Sequence, residues 1–244
     1  MSRIYCQAAG VLVVCMLTAG CAAVNTSPAA PSPDISEQAG DQHAAGQGIL
    51  PEIDGSIQAQ EWKDADIWNL EGGGQLYLLT AGDHLFLALR ALPPGMIVGN
   101  VFLSVGNEVK VFHSSAALGT VIFQQDDDNW QKIKDFEWCC RSRVDDPSSR
   151  EARKAFYDRE GWLGANSFLG AENELEYKIR LEGSESALAL NYLWADGSAA
   201  KQVWPAGLSD GVSWPSEGGF PDLMEFSPEY WHPLKAAGSE IPPS

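Results

Sequence analysis

The chain has 244 residues, 33 Asp and Glu against 16 Lys and Arg, and 45% hydrophobic residues. That length suits one large domain or two small ones, and the apolar fraction excludes wholesale disorder. A formal charge of −17 excludes a cationic nucleic-acid surface, because phosphate binding rests on clustered Lys and Arg, and it argues equally against electrostatic adsorption to an anionic membrane.

Arg3 is the only charge before Asp34. It precedes an apolar run, residues 8–19, that is too short to span a bilayer. The run ends in Leu17-Thr18-Ala19-Gly20-Cys21, which resembles the bacterial lipobox: a signal peptide over residues 1–20, with Cys21 acylated as the new N-terminus. Thr18 departs mildly from the commoner leucine. Two or three acyl chains anchor a protein stably where one would not. Ala22 in place of Asp after the cysteine points, by the same resemblance, to the outer membrane of a Gram-negative envelope. Cleavage removes one base and no acid, leaving 33 acids against 15 bases, or −18. Residues 22–48 have no aromatic residue and only Val24 and Ile35 as branched aliphatics. They cannot bury enough surface to offset their ordering entropy, so residues 21–48 form a flexible tether reaching on the order of 30 Å.

From residue 49 the periodicity is that of strands. Residues 76–80 and 84–91 flank Ala81-Gly82-Asp83 as a first β-hairpin, and residues 101–105 and 109–112 flank Gly106-Asn107-Glu108 as a second. Residues 120–123 form another β-rich run. One helix is predicted over residues 150–159, opened by Pro147-Ser148-Ser149 and closed by Gly161, with Ala152, Ala155, Phe156 and Arg159 on one face. In residues 174–181, Leu175, Tyr177, Ile179 and Leu181 alternate with Glu176, Lys178 and Arg180, the pattern of a half-buried strand. Residues 188–194 and 202–204 follow as strands. Residues 220–234, with three prolines, read as irregular chain held down by Phe226, Tyr230 and Trp231. Seven or more short strands without strand–helix alternation make an all-β, single antiparallel β-sandwich over residues 49–235, with one short helix and a disordered tail at residues 236–244.

Pro51-Glu52-Ile53-Asp54-Gly55, followed by Glu61-Trp62 and Ala65, resembles the opening of the family 9 carbohydrate-binding modules (CBM9-like) and their DOMON-like relatives. The strand His84-Leu85-Phe86-Leu87-Ala88-Leu89-Arg90 fits the second strand of their first hairpin. Leu175-Glu176-Tyr177-Lys178-Ile179-Arg180-Leu181 fits a late strand more loosely, with Arg180 where proline is common. The resemblance implies a sandwich and a sugar site built from a pair of tryptophans, which cannot be aligned residue by residue onto this chain. Trp62 and Trp68 read as core.

Sugars present apolar C–H faces, so binding modules stack them on exposed aromatic rings beside polar side chains. Trp130, in the polar stretch residues 126–132, and Trp194 and Trp214, near turns, are the candidates. Asp126, Asp127 and Asp128 offer hard oxygen ligands for calcium, with Asp126 and Asp128 the metal candidates, as do Asp145 and Asp146, but the ligand spacing is absent and a solvated acidic loop is the plainer reading. No Gly-x-Ser-x-Gly, His-Glu-x-x-His or phosphate loop occurs, so the module is expected to be non-catalytic. DOMON-like domains also include haem binders, and Met96, Met224, His84 and His113 would be the axial candidates. Cys139 and Cys140 are adjacent, and strand geometry would put one thiol inside and one outside. The expectation is a membrane-anchored module that binds carbohydrate; the alternative is an envelope assembly lipoprotein docking a partner through a flat apolar face.

Overall fold

A computed structural model describes residues 49–71, 73–92, 96–115, 117–140, 147–166, 173–183, 185–195, 202–214 and 219–235. The chain divides into Met1–Ala45 and Gly46–Ser244, and every described residue belongs to the second unit. The expected signal peptide, Cys21, the expected tether, Asp145, Asp146 and residues 236–244 lie outside the described residues.

The elements run β1 (Asp66–Asn69), β2 (Gln75–Ala81), β3 (His84–Arg90), β4 (Met96–Val105), β5 (Glu108–Ser114), β6 (Leu118–Asp126), β7 (Asn129–Lys134), α1 (Pro147–Glu160), β8 (Trp162–Asn166), β9 (Glu174–Arg180), β10 (Glu185–Ala195), β11 (Gln202–Trp204), β12 (Leu223–Met224) and β13 (His232–Lys235). They form two antiparallel sheets. The first has the order β1-β2-β3-β9-β8; the second has β11-β10-β4-β5-β6-β7-β12, with β13 also paired to β10. The fold is all-β with a single helix. Both predicted hairpins form, and the first is tighter than expected: Ala81 pairs with His84 across Gly82 and Asp83, and Gly82 takes a positive φ of 60° that the turn requires.

The inward faces of the sheets share one core, with Leu76, Leu78, Leu87, Leu89, Leu175 and Tyr177 from the first and Val101, Leu103, Leu188, Leu190 and Tyr192 from the second. Each large side chain buried there contributes about 1.5–3 kcal/mol. Trp162 ties the layers, its indole N–H donating to Thr120 Oγ1 at 2.8 Å.

The outward faces are covered as well, which the alternation of β9 did not foretell. The chain between Pro51 and Ala65 lies over the first sheet and packs Ile57 and Trp62 on Tyr77, Phe86 and Ala88. Beneath it Glu176 is fully buried, not solvent-facing as the pattern suggested. Its cross-strand neighbours are Ala88 and Ala165, whose small side chains leave room for a carboxylate. Glu176 Oε2 accepts the N–H groups of Asp54, Gly55 and Ser56, and Oε1 accepts the Trp62 indole N–H. Two residues earlier on the same face, Glu174 accepts the Ile57 N–H and pairs with Arg90 at 2.7 Å.

Residues 211–214 and 219–231 cover the second sheet, where Val212, Phe220, Met224, Phe226 and Trp231 pack on Phe102, Val111, Val121 and Phe123. This segment is more regular than predicted, because β12 pairs β7 and β13 pairs β10. Phe226 and Trp231 are buried as expected, but Tyr230 is 70% exposed. Helix α1 is longer than predicted and turns a different face inward: Ala152, Ala155 and Arg159 are exposed, while Ser149, Arg153 and Phe156 are buried. Phe156 docks edge-on against Trp162, and this contact sets the rotation of the helix.

Burial pushes the Glu176 carboxyl up to about 7, against the pull of the Gly55, Trp62 and Asp54 N–H groups. The folded protein therefore keeps this proton where the unfolded chain has lost it, between pH 4.5 and 7. The stability it contributes is complete below pH 4.5 and disappears as pH rises to 7, a change of about 3 kcal/mol. In urea titrations near pH 4.5 and above pH 7, the advantage of wild type over Glu176→Gln should shrink by about that amount. An advantage that grows with pH would show the carboxylate to be held as the anion.

Candidate functional site

A three-residue 3-10 turn, Gly211–Ser213, sits on the outer face of the second sheet. Asp210 caps it and fastens it to the covering segment: Oδ1 accepts the Val212 N–H, while Oδ2 accepts the Ser227 N–H and the Trp231 indole N–H at 2.9 and 3.0 Å. The Gly211 N–H donates to Glu225 O at 2.6 Å. A Cβ on Gly211 would come within 2.8 Å of that carbonyl and 2.7 Å of Met224 and Phe226, so only glycine fits the close approach.

A line of side-chain hydrogen bonds crosses three strands to reach this turn. His113 Nδ1 meets Asn100 Oδ1 at 2.7 Å, Asn100 Nδ2 donates to Asn191 Oδ1 at 2.6 Å, and Asn191 Nδ2 donates to the carbonyls of Val212 at 2.7 Å and Trp214 at 3.4 Å. Asn100 is the cross-strand neighbour of both His113 and Asn191. Because each amide donates onward, Asn100 Oδ1 must accept, which puts the proton of His113 on Nδ1 and leaves Nε2 to accept from Ser115 Oγ at 2.9 Å. Burial holds the imidazole down at about 4, so it is neutral near pH 7.

Trp214 follows the turn, is 43% exposed, and donates its indole N–H to Gly219 O at 3.4 Å. It borders a cleft of about 370 Å³ with Asn129, Ser209, Ser213, Leu223 and Glu225, all exposed at the rim. An aromatic face set among short polar side chains can stack a sugar ring and hold its hydroxyls.

The other predicted aromatic residues fare differently. Trp130 is 4% exposed, contrary to the expectation drawn from its polar neighbours. It pairs with Met224 across β7 and β12, packs on Phe226, and donates its indole N–H to Phe226 O; the covering segment buries it. Trp194 lies in β10 opposite Ile97, and its side chain is outside the described residues. Trp62 is core, as expected. Trp68 is half-buried and lines, with Asp64, Asp66, Thr80 and His232, a second cleft of about 490 Å³. Its ring is spent on edge contacts with Trp204 and His232, so it presents little face to a ligand. No local pattern singles out Trp138, which is 47% exposed and stacked on Phe136 at 4.5 Å. Gly119 makes that possible, since a Cβ there would meet Phe136 at 2.7 Å.

Asp126 and Asp128 are exposed at the β6–β7 turn, and among the described residues no three His, Cys, Asp or Glu side chains gather to hold a metal, so the calcium reading gains no third ligand. The haem candidates do not fit that group. Both ring nitrogens of His84 are engaged, by Asp83 and Tyr157, and both of His113 by Asn100 and Ser115. Met224 is buried over Gly211, and the Met96 side chain is outside the described residues. Cys139 and Cys140 form a disulfide with each other and are not separate thiols as expected. Cys140 has a φ of 61°, which breaks the strand alternation that would have parted them.

No family model, no curated protein and no solved structure matches the chain.

The two tryptophans separate by stability. Trp130→Ala should cost about 3–5 kcal/mol in urea unfolding, whereas Trp214→Ala should stay within about 1 kcal/mol of wild type. Equal losses would make Trp214 a packing residue.

Proposed function

We propose that this protein is a lipid-anchored envelope protein whose domain binds carbohydrate, without catalysis, in the cleft beside Trp214. The observation that carries the reading is the exposed indole of Trp214 flanked by Asn129, Ser209, Ser213 and Glu225. An apolar platform ringed by hydroxyl, amide and carboxylate groups is complementary to a pyranose, which has one apolar face and an equatorial belt of hydroxyls. The resemblance of residues 51–65 to the family 9 carbohydrate-binding modules supports the same class of ligand. The open rim, with Leu223 and Trp214 both accessible, suits a chain end or a short stretch of polysaccharide better than an enclosed small molecule.

Calorimetry of the purified protein against a panel of soluble oligosaccharides tests this. Wild type should bind at least one with a dissociation constant near or below millimolar, and Trp214→Ala should weaken it by at least about tenfold, or 1.4 kcal/mol. Absence of binding at millimolar sugar, or equal binding by the variant, removes the proposal.

The anchor rests on Leu17-Thr18-Ala19-Gly20-Cys21. Cys21→Ala should move the protein out of the membrane fraction, and mass spectrometry of wild type should find acyl groups on Cys21. An unmodified Cys21 would sink the localisation.

A further inference from the structure

A protein with twice as many acids as bases nevertheless gathers cations at one place where, among the described residues, a single acid pairs with them. On α1, Arg150, Arg153, Lys154 and Tyr157 are spaced i, i+3, i+4 and i+7 and so share one face. With Leu163 of β8 and Lys178 of β9 they line a cavity of about 270 Å³. Leu163 and Lys178 are cross-strand partners, so the floor is fixed by the sheet. Lys178 Nζ and Arg180 Cζ stand 5.2 and 5.3 Å from the centre of the Tyr157 ring.

The decisive residue is Arg153. It is 4% exposed, and among the described residues its one side-chain hydrogen bond runs from Nη2 to Gly164 O at 2.9 Å. Among the described residues no carboxylate pairs with Arg150, Arg153, Lys178 or Arg180. Only Lys154 has an ion pair, with Asp158 one turn along the exposed helix surface. An enclosed guanidinium without a counter-charge is costly, and its planar fork matches two oxygens of a bound oxyanion.

We infer that the groove between α1 and the β8–β9 pair binds a doubly charged oxyanion, a phosphate or sulfate ester, held by the Arg153 fork with Arg150 and Lys178 at the entrance. Leu163 and the Tyr157 ring offer an apolar wall to the organic part of such an ester. The site is separate from the Trp214 cleft and shares no residue with it.

The full chain, purified in detergent, is titrated with inorganic phosphate, sulfate and acetate at constant ionic strength, and its thermal midpoint is followed. Phosphate or sulfate should raise the midpoint progressively with concentration, as a ligand specific to the native state must, and acetate should not. The tighter of the two dianions identifies the phosphoryl or sulfuryl source. Arg150→Gln and Lys178→Gln should each weaken the response by at least about tenfold in concentration. Arg153→Met should melt at or above wild type without anion, having lost an unpaired buried charge, and should show no rise with either dianion. No dianion-specific rise in wild type, an equal rise with acetate, or an undiminished rise in the three variants would each overturn the assignment. Trp214→Ala should respond as wild type, so failure here is distinguishable from failure of the carbohydrate reading.

Discussion

The geometry of the proposed sugar cleft depends on a polar row laid across the outer face of the second sheet. Its hydrogen bonds run one way, from Ser115 through His113, Asn100 and Asn191 to the carbonyls of Val212 and Trp214. Asn100 and Asn191 are almost fully buried, where an unmade hydrogen bond costs about 1–3 kcal/mol. Reversing one amide would set donor against donor, so the row admits a single arrangement. The turn that carries Trp214 is thereby referenced to three central strands and not only to its own loop. A ligand platform gains precision when its supports are rigid elements of this kind, and less ordering entropy is then lost on binding.

Two carboxyl groups do for the covering segments what this row does for the turn. Glu176 takes three backbone N–H groups and the indole N–H of Trp62; Asp210 takes two backbone N–H groups and the indole N–H of Trp231. Each fastens one flank of the domain sequence, residues 51–65 or residues 211–214 and 219–231, over the outward face of a sheet. The result is a fold with three apolar layers, one between the sheets and one under each cover. Such a sandwich has little outward sheet face left to host a ligand. Both proposed ligand sites lie instead on the covers and the helix, where Trp214 and the α1 cations stand.

Much of the architecture was legible in the sequence because a strand announces itself by its period of two. Both early hairpins, β9 and β10 were placed within a few residues. The covers defeated that logic. Trp130 follows three aspartates and an asparagine, and nothing local says that Phe226, 96 residues later, will lie on it. Glu176 looks like the wet side of an amphipathic strand until the Asp54-Gly55 turn is seen to close over it. Flanking signals mark the helix, but apolar character alone picks the wrong inward face, because a buried arginine inverts that rule. Trp138 carried no signal because its exposure depends on Gly119, a glycine inside β6 that lets Phe136 and Trp138 lie flat on the sheet. Of the three tryptophans suggested by sequence, one is a core residue, one has no described side chain, and Trp214 alone has the exposed face and polar rim that a sugar needs.

The proposed sugar contact falls on Trp214, while Trp62, Trp130 and Trp162 are buried in the fold. Indole N–H resonances in a ¹H–¹⁵N correlation spectrum, assigned through single Trp→Phe variants, report on each tryptophan separately during an oligosaccharide titration. The Trp214 indole signal should shift to saturation while those of Trp62, Trp130 and Trp162 stay in place. Saturable shifts at those buried indoles with Trp214 unmoved, or no shift at all with millimolar sugar, would contradict it.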